Sequence, residues 1–166
     1  ATGSYASKSY SVNASYAATT GLVMNSAGTR CYLLVTSGVD LVVQLDLSTP
    51  WDITTASESG NTFAVSNEST DPSGICLSAD DTQIYITDAT TDEVYQYTMA
   101  TADDLSTATY GSRLLDVSLQ GTDPQSCSIS GDSSKLYVLC LNDIMYQYTM
   151  DSVVDPSPVD GITLAN

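Results

Sequence analysis

Short apolar stretches recur along this chain, and clusters of Ser, Thr, Asp and Gly separate them. The stretches at 22–24, 31–35 and 41–47 are typical, with hydrophobic positions that run together or alternate with polar ones. Such brief patterns bounded by turn-forming residues predict β strands rather than helices. The longest unbroken apolar run is 31–35, far below the roughly 20 residues needed to cross a bilayer, so no membrane insertion is expected.

The pattern repeats with a period of about 52 residues. GLVMNSAGTRCYLL at 21–34 aligns with GICLSADDTQIYIT at 74–87 and with SCSISGDSSKLYVL at 126–139, which places Tyr32, Tyr85 and Tyr137 in register. VVQLDL at 42–47 aligns with VYQYTM at 94–99 and MYQYTM at 145–150. Each unit predicts four antiparallel strands, which is the composition of one β-propeller blade.

We therefore predict an all-β fold of three tandem four-stranded antiparallel blades of the β-propeller type. The predicted divisions are 1–20 for an N-terminal strand and lead-in, 21–65 for blade 1, 66–117 for blade 2 and 118–166 for blade 3. KSYSV at 8–12 resembles the predicted fourth strands at 62–65 and 113–117, so we expect an orphan N-terminal strand that closes a blade. The tail at 151–166 either supplies a weak fourth strand or leaves blade 3 open.

Charge and composition narrow the function. The net charge is −16, from 20 acidic and four basic residues, which disfavours nucleic acid and anionic membranes as partners. The sequence has no histidine, so it offers no Ser-His-Asp triad and no imidazole base. No glycine-rich phosphate loop is present either. The chain is predicted not to be an enzyme.

Candidate ligands for a metal are few. The four cysteines, Cys31, Cys76, Cys127 and Cys140, lie in apolar stretches without CxxC spacing, so free core thiols are expected, with a disulfide as the alternative. Asp52, Asp104 and Asp155 follow the third strands and suit the cap of a short helical turn. Calcium bound by such loop carboxylates is the alternative. No cofactor is otherwise predicted.

Aromatic and amide side chains recur once per repeat. The tyrosine and methionine rows at 95–99 and 146–150 are expected to fill the space between blades, with sugar stacking as the alternative. Gln44, Gln96 and Gln147 are expected to be buried and to link strands or blades. Trp51 stands alone, because the aligned residues are Asp103 and Val154. It is a candidate contact for a glycan or protein, or a plug at the blade edge.

The repeats resemble a known family. The run SADDTQIYIT at 78–87 followed by DEVYQYTM at 92–99 resembles the S-x-D-G-x-x-x-Y-V blade of YVTN/NHL-like propellers. The run LSTPWDITTAS at 47–57 is similar to the "VYQY…LSTPWD" repeats of bacterial surface proteins and marine phage tail or surface proteins. This resemblance implies a non-enzymatic structural or binding protein of a virion surface, as a decoration, tail or fibre component. The alternative is a secreted or cell-surface adhesin module of a marine bacterium.

The predicted number of blades indicates that the chain assembles with a partner. Closed propellers have four to eight blades, and three would leave exposed faces at the first and third repeats, which carry residues such as Leu33, Val138 and Tyr148. We expect a homo-oligomer rather than a free monomer, with other virion or surface proteins and host glycans or proteins as further partners. Two chains could close a six-blade ring, or three sheets could close a prism within one chain. The expected location is the virion surface or the extracellular space.

Overall fold

Eleven strands and two short 3-10 turns make up the computed structural model, which describes residues 3–4, 6–12, 16, 18–36 and 38–150. The strands of the first sheet are Thr19–Met24 (β1), Arg30–Val35 (β2), Leu41–Leu47 (β3) and Ala56–Ala64 (β4). Those of the second are Pro72–Leu77 (β5), Gln83–Asp88 (β6), Glu93–Met99 (β7) and Ala108–Asp116 (β8). Those of the third are Pro124–Ile129 (β9), Lys135–Cys140 (β10) and Met145–Thr149 (β11).

Each sheet is an antiparallel meander in chain order, so the predicted all-β fold of repeated antiparallel sheets is confirmed. Strands β4 and β8 are longer than the predicted 62–65 and 113–117, because both begin directly after the 3-10 turns Ile53–Thr55 and Leu105–Thr107. Among the described residues the third sheet has three strands. Its predicted fourth strand falls at 151–166, outside the described part of the chain.

Aspartate caps begin the two 3-10 turns, as predicted. The Asp52 carboxylate accepts hydrogen bonds from Thr54 N at 3.2 Å and Thr54 Oγ1 at 2.7 Å. Asp104 does the same with Ser106 N at 3.0 Å and Ser106 Oγ at 2.6 Å. The capping role is therefore confirmed for these two residues, while Asp155 lies outside the described residues.

The three sheets, called blades 1 to 3 below, stack face to face through two apolar layers. In each blade one face carries the repeated tyrosine of the second strand, and we call it the tyrosine face. The tyrosine face of blade 1 packs against the opposite face of blade 2, and the tyrosine face of blade 2 packs against the opposite face of blade 3. Tyr95, Tyr97 and Met99 lie in the first layer and Tyr148 in the second, so the predicted packing role of these rows is confirmed.

Two predictions are wrong, one about the N-terminal strand and one about the exposed faces of the first and third blades. Residues 8–12 form no strand; instead Tyr10, Val12 and Tyr16 pack against the opposite face of blade 1. Leu33 is consequently buried there, and Val138 and Tyr148, predicted to be exposed, are buried against blade 2. A segment gains stability by burying its apolar side chains on the face of a sheet, and not only by pairing its backbone along the edge. The similarity of 8–12 to a fourth strand therefore did not determine where this segment lies.

Candidate functional site

Polar groups join blade 1 to blade 2 at one end of the sheets. The backbone carbonyl of Asp103 accepts a hydrogen bond from Tyr32 Oη at 2.7 Å and another from the Arg30 guanidinium. The Asp103 carboxylate accepts from Asn25 Nδ2 at 3.0 Å. Asp81 adds a second carboxylate, which accepts from Ser26 N at 3.0 Å and from the Ser26 hydroxyl. These groups fix the register of the two blades, because each bond links residues more than 50 positions apart.

Some of these contacts have counterparts between blades 2 and 3, although the hydroxyl of Tyr85, aligned with Tyr32, bonds to Gln83 in its own strand. Ala79 N, aligned with Ser26, donates to Ser133 Oγ at 2.9 Å, and Ser133 is aligned with Asp81. On the innermost strands the Thr20 hydroxyl donates to the carbonyl of Pro72, and the aligned Ser73 hydroxyl donates to the carbonyl of Pro124. Part of the polar interface between blades is therefore itself repeated.

Gln44 links blades in the predicted manner. Its side chain is buried, its Oε1 accepts from Leu105 N of blade 2 at 3.1 Å, and its Nε2 donates to Asp46 Oδ1 at 2.8 Å. Gln96 is also buried. Gln147 is exposed, which contradicts the prediction that all three are buried.

Trp51 lies at the position that Asp103 occupies in blade 2. Both residues have positive φ, 62° and 68°, and both donate their backbone N–H to the preceding turn, Trp51 to Gly28 O and Asp103 to Asp81 O. The Trp51 indole covers Gly28 so closely that a Cβ there would come 2.3 Å from the ring. Its side chain is nevertheless 64% exposed. The indole thus covers the turn at Gly28 on one side and is exposed on the other, and a role in binding a partner stays a prediction.

Asp88 is the most heavily bonded carboxylate in the structure. It is fully buried; Oδ2 accepts from Ser69 Oγ, Thr70 N and Asp71 N, and Oδ1 accepts from Thr90 N and Thr91 N, all within 2.7–3.0 Å. Burial raises the pKa of Asp88, but these hydrogen bonds outweigh burial and hold it below its usual value. The carboxylate thus joins the loops at 69–71 and 90–91 through hydrogen bonds. Its oxygens are occupied by these donors, so it is not positioned as a general base. Sequence analysis missed this role, although the position directly after a buried strand was visible.

An open cavity of about 440 Å³ lies beside the innermost strands β1, β5 and β9. Its lining includes Asp71 and Asp123 together with Thr20, Ser73 and Gln125, and no lining residue is basic. No group of three or more metal-ligating side chains occurs within the described part of the chain. Among the same residues no helix is long and apolar enough to span a membrane.

The four cysteines are free thiols in apolar surroundings. Cys76, Cys127 and Cys140 lie in the layer between blades 2 and 3, and Cys31 lies on the outer face of blade 1. Burial raises the pKa of Cys31 to about 11 and also raises the pKa of Cys127 and Cys140. Thiols of this kind are poor nucleophiles at neutral pH.

Blade 3 differs most from blades 1 and 2 in the exposure of its tyrosine face. Leu139 and Met145, which are cross-strand neighbours on this face, are 43% and 66% exposed. Ser126, Ser128 and Gln147 on the same face are exposed too. The aligned faces of blades 1 and 2 are buried. This surface is the candidate functional site with the clearest geometry.

Comparison with known proteins gives the fold. No protein-family model and no curated protein sequence matches the chain. Among solved structures, a putative 6-phosphogluconolactonase from Bacteroides fragilis matches with a TM-score of 0.59 and 20% identity over 78% of this chain and 34% of that one. A protein of unknown function from Desulfotomaculum acetoxidans matches with a TM-score of 0.61 and 13% identity, over 89% of this chain and 40% of that one.

The β-propeller domain of Cps50 (Swd1) from Myceliophthora thermophila matches with a TM-score of 0.56 and 8% identity, over 88% of this chain and 42% of that one. The chain therefore has a propeller-like fold and spans about a third to two fifths of the length of these structures. At these identities the likeness concerns the fold and not the activity.

Proposed function

We propose that this chain is a non-enzymatic structural and binding module of a virion surface, as part of a decoration, tail or fibre protein. The observation that carries the proposal is that the carboxylates best placed for chemistry, Asp81, Asp88 and Asp103, accept hydrogen bonds from neighbouring loops and blades. The net charge of −16 suits a soluble, solvent-facing coat. The resemblance of the repeats to YVTN/NHL-like and "VYQY…LSTPWD" surface proteins supplies the biological setting.

A second candidate function is an adhesin module on a bacterial cell surface. The exposed Trp51 favours it, because a single exposed tryptophan beside polar turns is a common anchor for a glycan or a protein partner. The two candidates share the same chemistry and differ in the particle that carries the chain.

Immunogold labelling with antibodies against the chain distinguishes them. Purified virions and intact cells from the same culture are labelled in parallel, with cytosolic extract as the control. We expect gold on virions. Gold on cells alone supports the adhesin, and label confined to the cytosol would overturn both.

The lactonase-like neighbour makes hydrolysis of 6-phosphogluconolactone the sharpest test of the non-enzymatic claim. We expect no acceleration over spontaneous hydrolysis, because Asp71 and Asp123 give the cavity a negative lining that repels an anionic substrate. A saturable rate that Asp71→Asn changes would contradict this expectation, and an authentic lactonase serves as the positive control.

A further inference from the structure

The exposed tyrosine face of blade 3 retains the groups that join blades elsewhere in the chain. Tyr137 aligns with Tyr32, which donates to Asp103 O, and Gln147 aligns with Gln44, which accepts from Leu105 N. Gln125 aligns with Thr20 and Ser73, which donate to the innermost strand of the next blade. The face therefore has the donors and acceptors that a following blade requires.

A matching surface exists at the other end of the same chain. The opposite face of blade 1 carries Leu33, Val43 and Leu45, which align with the residues that blades 2 and 3 insert into their neighbours. It is covered by the N-terminal residues Tyr10, Val12 and Tyr16, which are only partly buried and form no strand. A cover without ladder hydrogen bonds is more easily displaced than a paired strand.

Charge also favours contact at blade 3. Strands β9, β10 and β11 carry a single charged residue, Lys135, in a chain with 20 acidic residues. Two copies of an acidic protein repel each other, and that repulsion is weaker where the strands of one copy carry no carboxylate, the acids of blade 3 lying in its turns at Asp132 and Asp143. Lys135 aligns with Arg30, which donates to Asp103 O between blades 1 and 2.

We propose that the tyrosine face of blade 3 docks blade 1 of a second copy of this chain, whose N-terminal segment gives way to it. The contact continues the face-to-face packing that already occurs twice within the chain. When each copy docks on the other, the two chains place six blades in a ring, within the range of four to eight found in closed propellers.

Trp51 of the second copy is central to this contact. Because it aligns with Asp103, its carbonyl meets the Tyr137 hydroxyl, and its indole, lying over Gly28, faces the turn at Gly131. Gly131 has open space where a Cβ would point, so nothing at that position obstructs the indole. At Ser126 the fit is tighter: a Cβ at the aligned Gly74 would come 2.8 Å from the neighbouring backbone.

The test weakens the N-terminal cover and measures mass. Light scattering on the full chain and on the Tyr10→Ser/Val12→Ser variant, over a range of concentrations, is expected to show a reversible doubling of the 17.5 kDa mass. The variant is expected to dimerise at least about tenfold more tightly, equivalent to about 1.4 kcal/mol. Deletion of residues 1–17 is a second variant with the same expected direction, and circular dichroism confirms that each one is folded.

Matched substitutions locate the contact. Met145→Glu and Leu139→Glu in the Tyr10→Ser/Val12→Ser background are expected to restore the monomer, whereas Leu119→Glu, an equal charge change on an exposed loop, is expected to leave the dimer intact. Ser126→Gly is expected to tighten it. Folded variants that stay monomeric at every concentration would overturn the proposal, as would association that survives Met145→Glu.

Fluorescence gives a second readout, since Trp51 is the only tryptophan. Its emission is expected to shift to shorter wavelength as the mass doubles, because docking buries the indole. Doubling of the mass without any change in emission would overturn the proposed arrangement. Loss of docking would leave the proposed surface role standing, because that role is tested by labelling of particles.

Discussion

The hydroxyl of Tyr32 donates a 2.7 Å hydrogen bond to the carbonyl oxygen of Asp103, which lies 71 positions later in the chain and in the next blade. Tyr32 is fully buried. Burial, together with the nearby Asp103 charge, raises its pKa above the ordinary tyrosine value, so the hydroxyl stays protonated as a donor. One buried bond thus ties the second strand of blade 1 to the loop after the third strand of blade 2.

Replacing Tyr32 with Phe is expected to destabilise the fold by about 1–2 kcal/mol, because the Asp103 carbonyl loses a buried donor. Urea unfolding followed by circular dichroism measures the loss. Tyr85→Phe is the matched control, since the Tyr85 hydroxyl bonds to Gln83 within its own strand. If both variants lose the same free energy of unfolding, the hydrogen bond between blades contributes no more to stability than one within a strand.

Replacing Asp88 with Asn is expected to cost about 2–3 kcal/mol at neutral pH, because the new amide nitrogen faces N–H donors that the carboxylate accepts. The pKa of Asp88 is lower in the folded chain than the value of about 3.9 for an unfolded aspartate. Its stabilisation is therefore present above that value and is lost as the pH falls through the folded pKa.

The difference between wild type and Asp88→Asn should accordingly shrink below about pH 4, as measured by urea midpoints at several pH values. Glu58→Gln is the control, because Glu58 lies exposed on β4, where water solvates its carboxylate. A difference that persists unchanged into acid would contradict the role assigned to Asp88.

Replacing Gly28 with Ala is expected to displace the Trp51 indole. Gly28 has φ of +69°, and a Cβ there would overlap the ring. The backbone strain alone costs about 1 kcal/mol, and the displaced indole should emit at longer wavelength. Gly38→Ala is the matched control, with φ of +86° and open space around it. It should share the strain but leave the emission unchanged, and a shift in both variants would contradict the contact.

All four cysteines are expected to react with a thiol reagent after denaturation without reductant. In the native protein the reaction should be slow, because burial raises the pKa of Cys31 to about 11 and leaves almost no thiolate at neutral pH. A count of free thiols in denaturant and a time course in its absence measure both. Fewer than four groups would reveal a disulfide, for which Cys76 and Cys127, in facing strands of blades 2 and 3, would be the first pair to examine.

Local features of the fold could be predicted from the sequence, because they depend on short-range chemistry. The alternation of apolar positions predicts the strands, and the period of about 52 residues predicts successive sheets of the same type. Asp52 and Asp104 could be assigned as caps because a short carboxylate reaches the backbone N–H two residues on. Repetition made each of these patterns visible more than once.

Only the tertiary structure decided what covers each face. Residues 8–12 look like a strand, but the packing of Tyr10 and Val12 on blade 1 places them across a face instead of along an edge. Gln44 and Gln147 are the same residue at the same repeat position, yet one is buried by the next blade and the other is exposed. Trp51 and Asp103 likewise share a position with different partners. Contacts between residues more than 50 positions apart leave no local pattern, because the burial of a side chain depends on the neighbour that arrives and not on the strand that carries it.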